Sequence, residues 1–536
     1  MKKVITIVLA ICLLVCVLAG CGKDAPVAEA SGVRIELSDT KITVDGETAS
    51  KDAGQAVYAA NDIVYYEAGQ DFTYGEGSAA DAHSPEEAAA HTVVHITEPG
   101  RYILSGQLSK GQVAVDLGKD AEDDSDAVVT LVLDGVDINC DVTPAIIFYN
   151  VYECGDKDVS SSQVDTSKAG ANVEIVDGTV NNIRGSYVAR IYKPETVELN
   201  KDGTQVKDAK KLHKYDGAFY SKMSMNVSGD TGVLNITAAN EGLDTEMHLT
   251  INGGNINILS GNDGINTNED GISVTAIHGG TVNIRVDGAT GEGDGIDSNG
   301  YLVIDGGTVI AQACGLSMDS GIDSDLGIIL NGGTVIATGN MLDHISADQQ
   351  NYAVFQFGSG KLGKVELKDE KGQTVAEGLL ENAYSNLVIS APTMKAGEYT
   401  LWIDGVQQQG TAGGAMGGGM GFGGGMMTPP EGMDRPGDFQ MPEGMDRPGD
   451  FQMPEGMDRP GDFQMPEGME RPGDFQMPEG MDRPGDFQMP QDGQMPQMPE
   501  GMGRPGGRQE FGDMPAGEAS TVFVITTGEN YFQVLG

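Results

Sequence analysis

Four short acidic segments carry the side chains best suited to chemistry in this 536-residue chain. They read Glu241-Gly242-Leu243-Asp244-Thr245, Asp263-Gly264-Ile265-Asn266-Thr267, Asp294-Gly295-Ile296-Asp297-Ser298 and Ser320-Gly321-Ile322-Asp323-Ser324. Carboxylates brought within a few ångströms of one another repel strongly unless something neutralises them. Calcium is the natural agent, because it accepts many hard oxygen ligands from Asp, Asn and backbone carbonyls with tolerant geometry. Calcium is therefore the expected cofactor, with Asp244, Asp263, Asn266, Asp270, Asp294, Asp297 and Asp323 as candidate ligands. Asn262, Asp263, Asn266, Asn268, Glu269 and Asp270 form the densest set of oxygens. Asn and Asp also stand at turns simply because they tolerate left-handed backbone and cap it. That accounts for any one of them, and less well for the paired spacing of Asp263 with Asn266 and Asp294 with Asp297.

Distant turns meet only if the chain stacks. A second pattern, interleaved with the first, shows that it does. Gly-Gly pairs precede short alternating strands, as in Asn252-Gly253-Gly254-Asn255-Ile256-Asn257-Ile258 and Asp305-Gly306-Gly307-Thr308-Val309-Ile310. The second glycines fall at 254, 280, 307 and 333, in steps of 26, 27 and 26. No helical periodicity runs through the segment. A unit this short cannot bury its own apolar face, but stacked at about 4.8 Å per rung it builds a continuous Val/Ile/Leu core. The expected fold is all-β, a parallel β-helix. Propeller blades need longer repeats, and the GGxGxD calcium repeat is missing.

The coils are expected over 92–347, with 185–215 interrupting them as a loop and 21–91 forming a tether and leading β segment. Residues 348–406 read as a small antiparallel β domain, with strands at Tyr352 to Phe357, Gly363 to Asp369, Leu387 to Ala391 and Tyr399 to Ile403. Residues 407–515 are Gly/Met-rich and then carry a 12-residue repeat starting at Pro430, Pro442, Pro454, Pro466 and Pro478. Prolines at this density forbid helix and sheet, so a disordered insert is expected. Its thioethers could hold Cu(I), as in Met441-Pro442-Glu443-Gly444-Met445, although a flexible linker needs no metal. Residues 516–536 are expected to return as strands to the small β domain.

The N-terminus reads as an address. Met1-Lys2-Lys3, an apolar run to Leu18 and Leu18-Ala19-Gly20-Cys21 form a secretory signal over 1–20 with a lipobox. Cys21 is the expected lipidation site, placing the protein on the outer face of a bacterial membrane. Cys140, Cys154 and Cys314 then remain; a Cys140–Cys154 bridge and free buried thiols are both open. A formal charge of −47 argues against nucleic acid as a partner.

Catalysis has weaker support. Residues 225–345 hold 16 acidic side chains, Arg285 as the one base and Tyr301 as the one aromatic. β-Elimination of an acidic polysaccharide calls for a basic residue beside the abstracted proton, and these coils contain no Lys. Carboxylate pairs are abundant enough that a glycosidase is allowed, yet no pair stands out. His248, His278 and His344 read as turn or face residues.

Asp216-Gly217-Ala218-Phe219-Tyr220-Ser221-Lys222 and the following coils with their DGI[DN] turns resemble the clostridial carbohydrate-binding-domain lipoprotein family. Gly100 to Gly106 and Leu131 to Ile138 fit it too. The resemblance covers about 90–406. It implies a right-handed parallel β-helix that binds polysaccharide with calcium, similar in shape to family 9 pectate lyases. In those lyases an Asp cluster on adjacent coils holds calcium and a Lys is the base. Asp244, Asp263, Asn266, Asp294 and Asp297 match the cluster in kind, with Asn266 departing from an all-Asp set. The Lys has no counterpart in the central coils, which argues for binding, of a pectin-like glycan among others, without cleavage. A polysaccharide lyase and an adhesive or structural surface protein are the alternatives.

Overall fold

The structure, a computed structural model, describes residues 31–212, 214–346, 349–413 and 519–535. The signal segment with Cys21 and the Pro/Met repeat lie outside the described residues.

Each coil contributes three short strands, one to each of three parallel faces. The first face stacks Ala171–Ile175, Met225–Gly229, Leu249–Ile251, Val274–Ile277, Tyr301–Ile304 and Gly327–Leu330. The second stacks Val180–Gly185, Val233–Ala238, Asn255–Ser260, Thr281–Val286, Thr308–Gln312 and Thr334–Gly339. The third runs from Thr92–Ile96 through Gly111–Asp116, Ile146–Asn150, Gly217–Ser221, Glu241–Thr245 and Ile265–Thr267 to Ile296–Ser298. The fold is a parallel β-helix. The Gly-Gly repeat of the sequence marks the second face, and the acidic repeat marks the third.

Period-2 alternation sends Leu243, Ile265 and Ile296 inward from the third face and Ile256, Val282, Val309 and Val335 inward from the second, all at 0% exposure. Truncating one such Ile to Ala costs about 2–5 kcal/mol. The corner between the first and second faces explains the glycine pairs. Gly254, Gly280, Gly307 and Gly333 all adopt positive φ, between +75° and +97°. A Cβ on Gly280 would also sit 2.5 Å from the carbonyl oxygen of Gly254 on the neighbouring rung. Conformation and close approach both demand glycine there.

The stack begins earlier than the sequence pattern indicates. Val33–Leu37 pairs in parallel with Tyr102–Gly106, and Val57–Ala60 lies antiparallel on the Thr92–Ile96 strand. Between the second-face strand ending at Gly185 and the third-face strand starting at Gly217 the chain leaves the stack, with a small pairing of Glu198–Leu199 against Val206–Asp208. At the far end, Thr374–Ser390 adds antiparallel to Thr334–Gly339. The strands expected around 352–406 are fewer and longer than the sequence indicates: Tyr352–Asp369 is a single strand, hairpinned with Thr374–Ser390. Glu529–Leu535 pairs in parallel with Tyr352–Phe357, and Phe523–Ile525 pairs with Gly397–Tyr399. This sheet has its own core, in which Phe355 packs against Phe523 and Phe532 with ring centroids 5.2 and 5.4 Å away.

Candidate functional site

Because Leu243, Ile265 and Ile296 point inward, the residues that follow them point out. Asp244, Asn266 and Asp297 are direct partners on successive rungs of the third face. A bridge between Ile296 and Ile322 brings Asp323 next in the column. Three residues earlier in each segment stand Glu241, Asp263 and Asp294, where the chain enters the third face. The turns thus form two adjacent columns of oxygen-bearing side chains.

The columns are tied together and largely closed to water. The Asn266 amide donates to Glu241 Oε1 at 3.1 Å and to Asp263 Oδ2 at 3.5 Å. Asp263 Oδ1 accepts from the Asp294 backbone N–H at 2.7 Å, and Asp244 Oδ1 from the Asn268 amide at 2.6 Å. Asp244 is fully buried, and Glu241, Asp263 and Asn266 are no more than 9% exposed. Three oxygens in this set, Glu241 Oε2, Asp244 Oδ2 and Asn266 Oδ1, are buried without any hydrogen-bond partner. Unpartnered buried oxygens are costly, and side by side on carboxylates they are costlier.

Electrostatics follow the same line. Burial first pushes the Glu241 and Asp244 carboxyls well above the usual range; repulsion adds to it, from Asp244, Asp216 and Asp263 at Glu241 and from Glu246 and Asp216 at Asp244. Asp263 and Asp323 rise to about 7, chiefly through burial. Asp294 is raised by burial and by Asp263 and Asp323. The two ends of the columns differ. At the Asp216 end, the protein supplies its own cations from the segment that leaves the stack: Arg190 Nη2 lies 3.8 Å from Asp216 Oδ2, and Lys214 Nζ lies 3.5 Å from Glu246 Oε2. At the Asp323 end the charged neighbours are Asp343, Asp297, Asp325 and Asp319, all of one sign.

An oxygen-only donor set with orphaned acceptors suits a hard cation such as calcium. Among the described residues no three His, Cys, Asp or Glu side chains are grouped to hold one ion. A cation here would therefore use Glu241 and Asp244 with the Asn266 oxygen and backbone carbonyls or water. Glu241, conspicuous in its acidic segment, was not among the sequence candidates, which drew on Asp and Asn alone. Asp270 stands apart from the columns: it is exposed on the turn after Ile265–Thr267, with the Asn299 amide 3.3 Å from its Oδ1.

Other sequence candidates have structural roles. His248 is buried, accepts from the Val274 backbone N–H at 3.1 Å, and burial lowers it to about 4. Cys140 and Cys154 form no bridge; both are free thiols, as is Cys314. Each is held by different partners, Cys140 by the Val142 and Thr143 backbone and Cys154 by Ser224. Lysines absent from the central coils reach the third face from outside them. Lys214 and Lys222 line a hollow of about 400 Å³ with Tyr215, Tyr220 and Glu246.

Fold and site together define a parallel β-helix with a buried oxygen ladder on one face. A family model described as carbohydrate-binding domain-containing protein matches residues 90–395, more than half of the chain. The chain belongs to that family. A curated relative from Acetivibrio thermocellus with the same description is 30% identical over 167 residues, spanning 31% of this chain and 44% of the relative. The match thus covers less than half of that relative's length. A solved structure described as the polysaccharide lyase-like protein from C. thermocellum aligns with 57% of this chain and 94% of its own, at 21% identity and a TM-score of 0.31.

Proposed function

We propose that this protein is a cell-surface lipoprotein that binds polysaccharide through its β-helix, with calcium on the third face, and does not cleave it. Membership of a carbohydrate-binding-domain family supports the binding role. The observation that carries the calcium reading is the trio of orphaned buried oxygens on Glu241, Asp244 and Asn266. A bound cation would satisfy them and lower the repulsion along the columns, holding the β-helix in shape for an acidic, pectin-like glycan. The Leu18-Ala19-Gly20-Cys21 segment supports anchoring through lipid at Cys21.

Pull-down of the full chain on insoluble and immobilised polysaccharides, with calcium and with EDTA, tests this reading. Binding that weakens with EDTA supports it; failure to retain the protein on any glycan under either condition rejects it. One observation favours a lyase as the second reading: Lys214 and Lys222 line a hollow beside the acidic columns. Unsaturated uronide products, detected by their ultraviolet absorbance, would establish that alternative.

A further inference from the structure

We infer that a groove centred on Tyr149 and Tyr215 is the glycan-binding cleft, and that it grips a uronate-bearing strand directly, without a metal bridge. This rests on the polysaccharide-binding reading above and gives it a location that the acidic turns do not.

The groove is made of two hollows of about 400 Å³ each. Both are lined by Tyr149, Asn150 and Tyr215, so they meet at those residues. One runs back to Tyr58 and His95, the other forward to Lys222 and Glu246. The underlying third-face strands extend from Val57–Ala60 to Ile265–Thr267, a span of roughly 30 Å at the strand spacing of a sheet. An extended chain fits that shape better than a small molecule does.

The lining has the chemistry of a sugar cleft. Pyranose rings present apolar faces and a rim of hydroxyls, so they need flat apolar surfaces beside fixed polar groups. Tyr58 and His95 are stacked, with centroids 4.3 Å apart and planes 10° from parallel. Tyr215 meets Tyr149 at 5.3 Å and Tyr220 at 5.2 Å. Between these aromatic groups, the Asn150 amide donates to Asp116 Oδ1 at 2.8 Å, holding both side chains ready for hydroxyls. The central coils over 225–345 offer one aromatic, Tyr301, so they have no comparable surface.

Lys222 sets the preference for acidic sugars. Its ammonium lies 3.4 Å from Asn150 Oδ1, whereas Lys211 and Lys214 on the same rim are held by Glu76 at 3.1 Å and Glu246 at 3.5 Å. In a chain with 80 acidic and 33 basic residues, an exposed cation beside an amide and aromatic rings is a place for a ligand carboxylate. Nucleic acid could use the same chemistry, but the surrounding acidity opposes a polyphosphate.

Calorimetric titration of the full chain with oligogalacturonate and with a neutral cello-oligosaccharide, in EDTA, tests the assignment. Tyr215→Ala should weaken both by about tenfold, through loss of ring contact. Lys222→Gln should weaken the acidic ligand severalfold and leave the neutral one nearly unchanged. Tyr58→Ala, at the open end of the groove, provides the aromatic test if Tyr215→Ala does not fold. Wild-type binding that all folded variants match within about twofold overturns the groove while leaving the polysaccharide reading intact. Absence of wild-type binding to any glycan, with calcium or EDTA, overturns both.

Discussion

Asn266 donates its amide to Glu241 across one rung, 3.1 Å from Oε1, while its own oxygen is left buried and unpartnered. One residue thus both quiets a carboxylate and offers a ligand. A carboxylate in its place would remove the donor and add charge. Asn266→Asp should therefore destabilise the protein in EDTA and strengthen its response to calcium. The shift in Tm between EDTA and calcium, measured for both proteins, checks this: a larger shift in the variant is expected.

Glu241→Gln takes the opposite course. It removes one of two adjacent buried charges, so stability in EDTA should rise by about 1 kcal/mol or more. The calcium-induced rise in Tm should shrink. A variant that loses stability in EDTA would show that Glu241 is not under repulsion.

The pH dependence has a defined sign. Asp263 and Asp323 have folded-state values raised from 3.8 to about 7. Raised carboxyls favour the folded state while protonated and withdraw that support as they ionise. In EDTA, stability should fall as pH rises from about 4 to about 7, and calcium should flatten the loss. Denaturant unfolding across that window, with and without the ion, is the measurement.

Gly307→Ala should destabilise the stack by at least about 1–2 kcal/mol, the cost of left-handed backbone for a residue with a Cβ. The added carbon would also sit 2.7 Å from the Gly280 carbonyl oxygen. The same change at Gly358, where a Cβ meets nothing within 4 Å and φ is not in that region, is the control. Equal unfolding midpoints for the two would argue against the corner as a constraint.

Cys21→Ser should release the protein from the membrane fraction of its host and abolish labelling by radioactive fatty acid. Retention of the label would rule out Cys21 as the lipid site.

How much of this was legible follows from where the signals lie. The Gly-Gly pairs at 254, 280, 307 and 333 encode a backbone conformation that only glycine meets cheaply, so the rungs could be counted from the sequence. The columns of Asp244, Asn266 and Asp297 followed from the repeat. Glu241 did not, because a turn Glu has no role until its neighbour across the rung is known. The Tyr149–Tyr215 groove was hidden for another reason: its two rings stand 66 positions apart, and Tyr215 comes from a segment with no repeat at all. One local signal was present and unread. Ser84-Pro85-Glu86-Glu87 spells a capping box, and a short helix, Pro85–Ala89, starts there.

The antiparallel strand Thr374–Ser390, laid on the last parallel rung, has a consequence for the protein as a population of molecules. A coil stack is a template whose exposed edge invites another molecule to continue it. Reversing strand direction at one end, and turning Val57–Ala60 against Thr92–Ile96 at the other, removes the matching edge for a like-oriented newcomer. End-to-end growth through these two edges is thereby disfavoured.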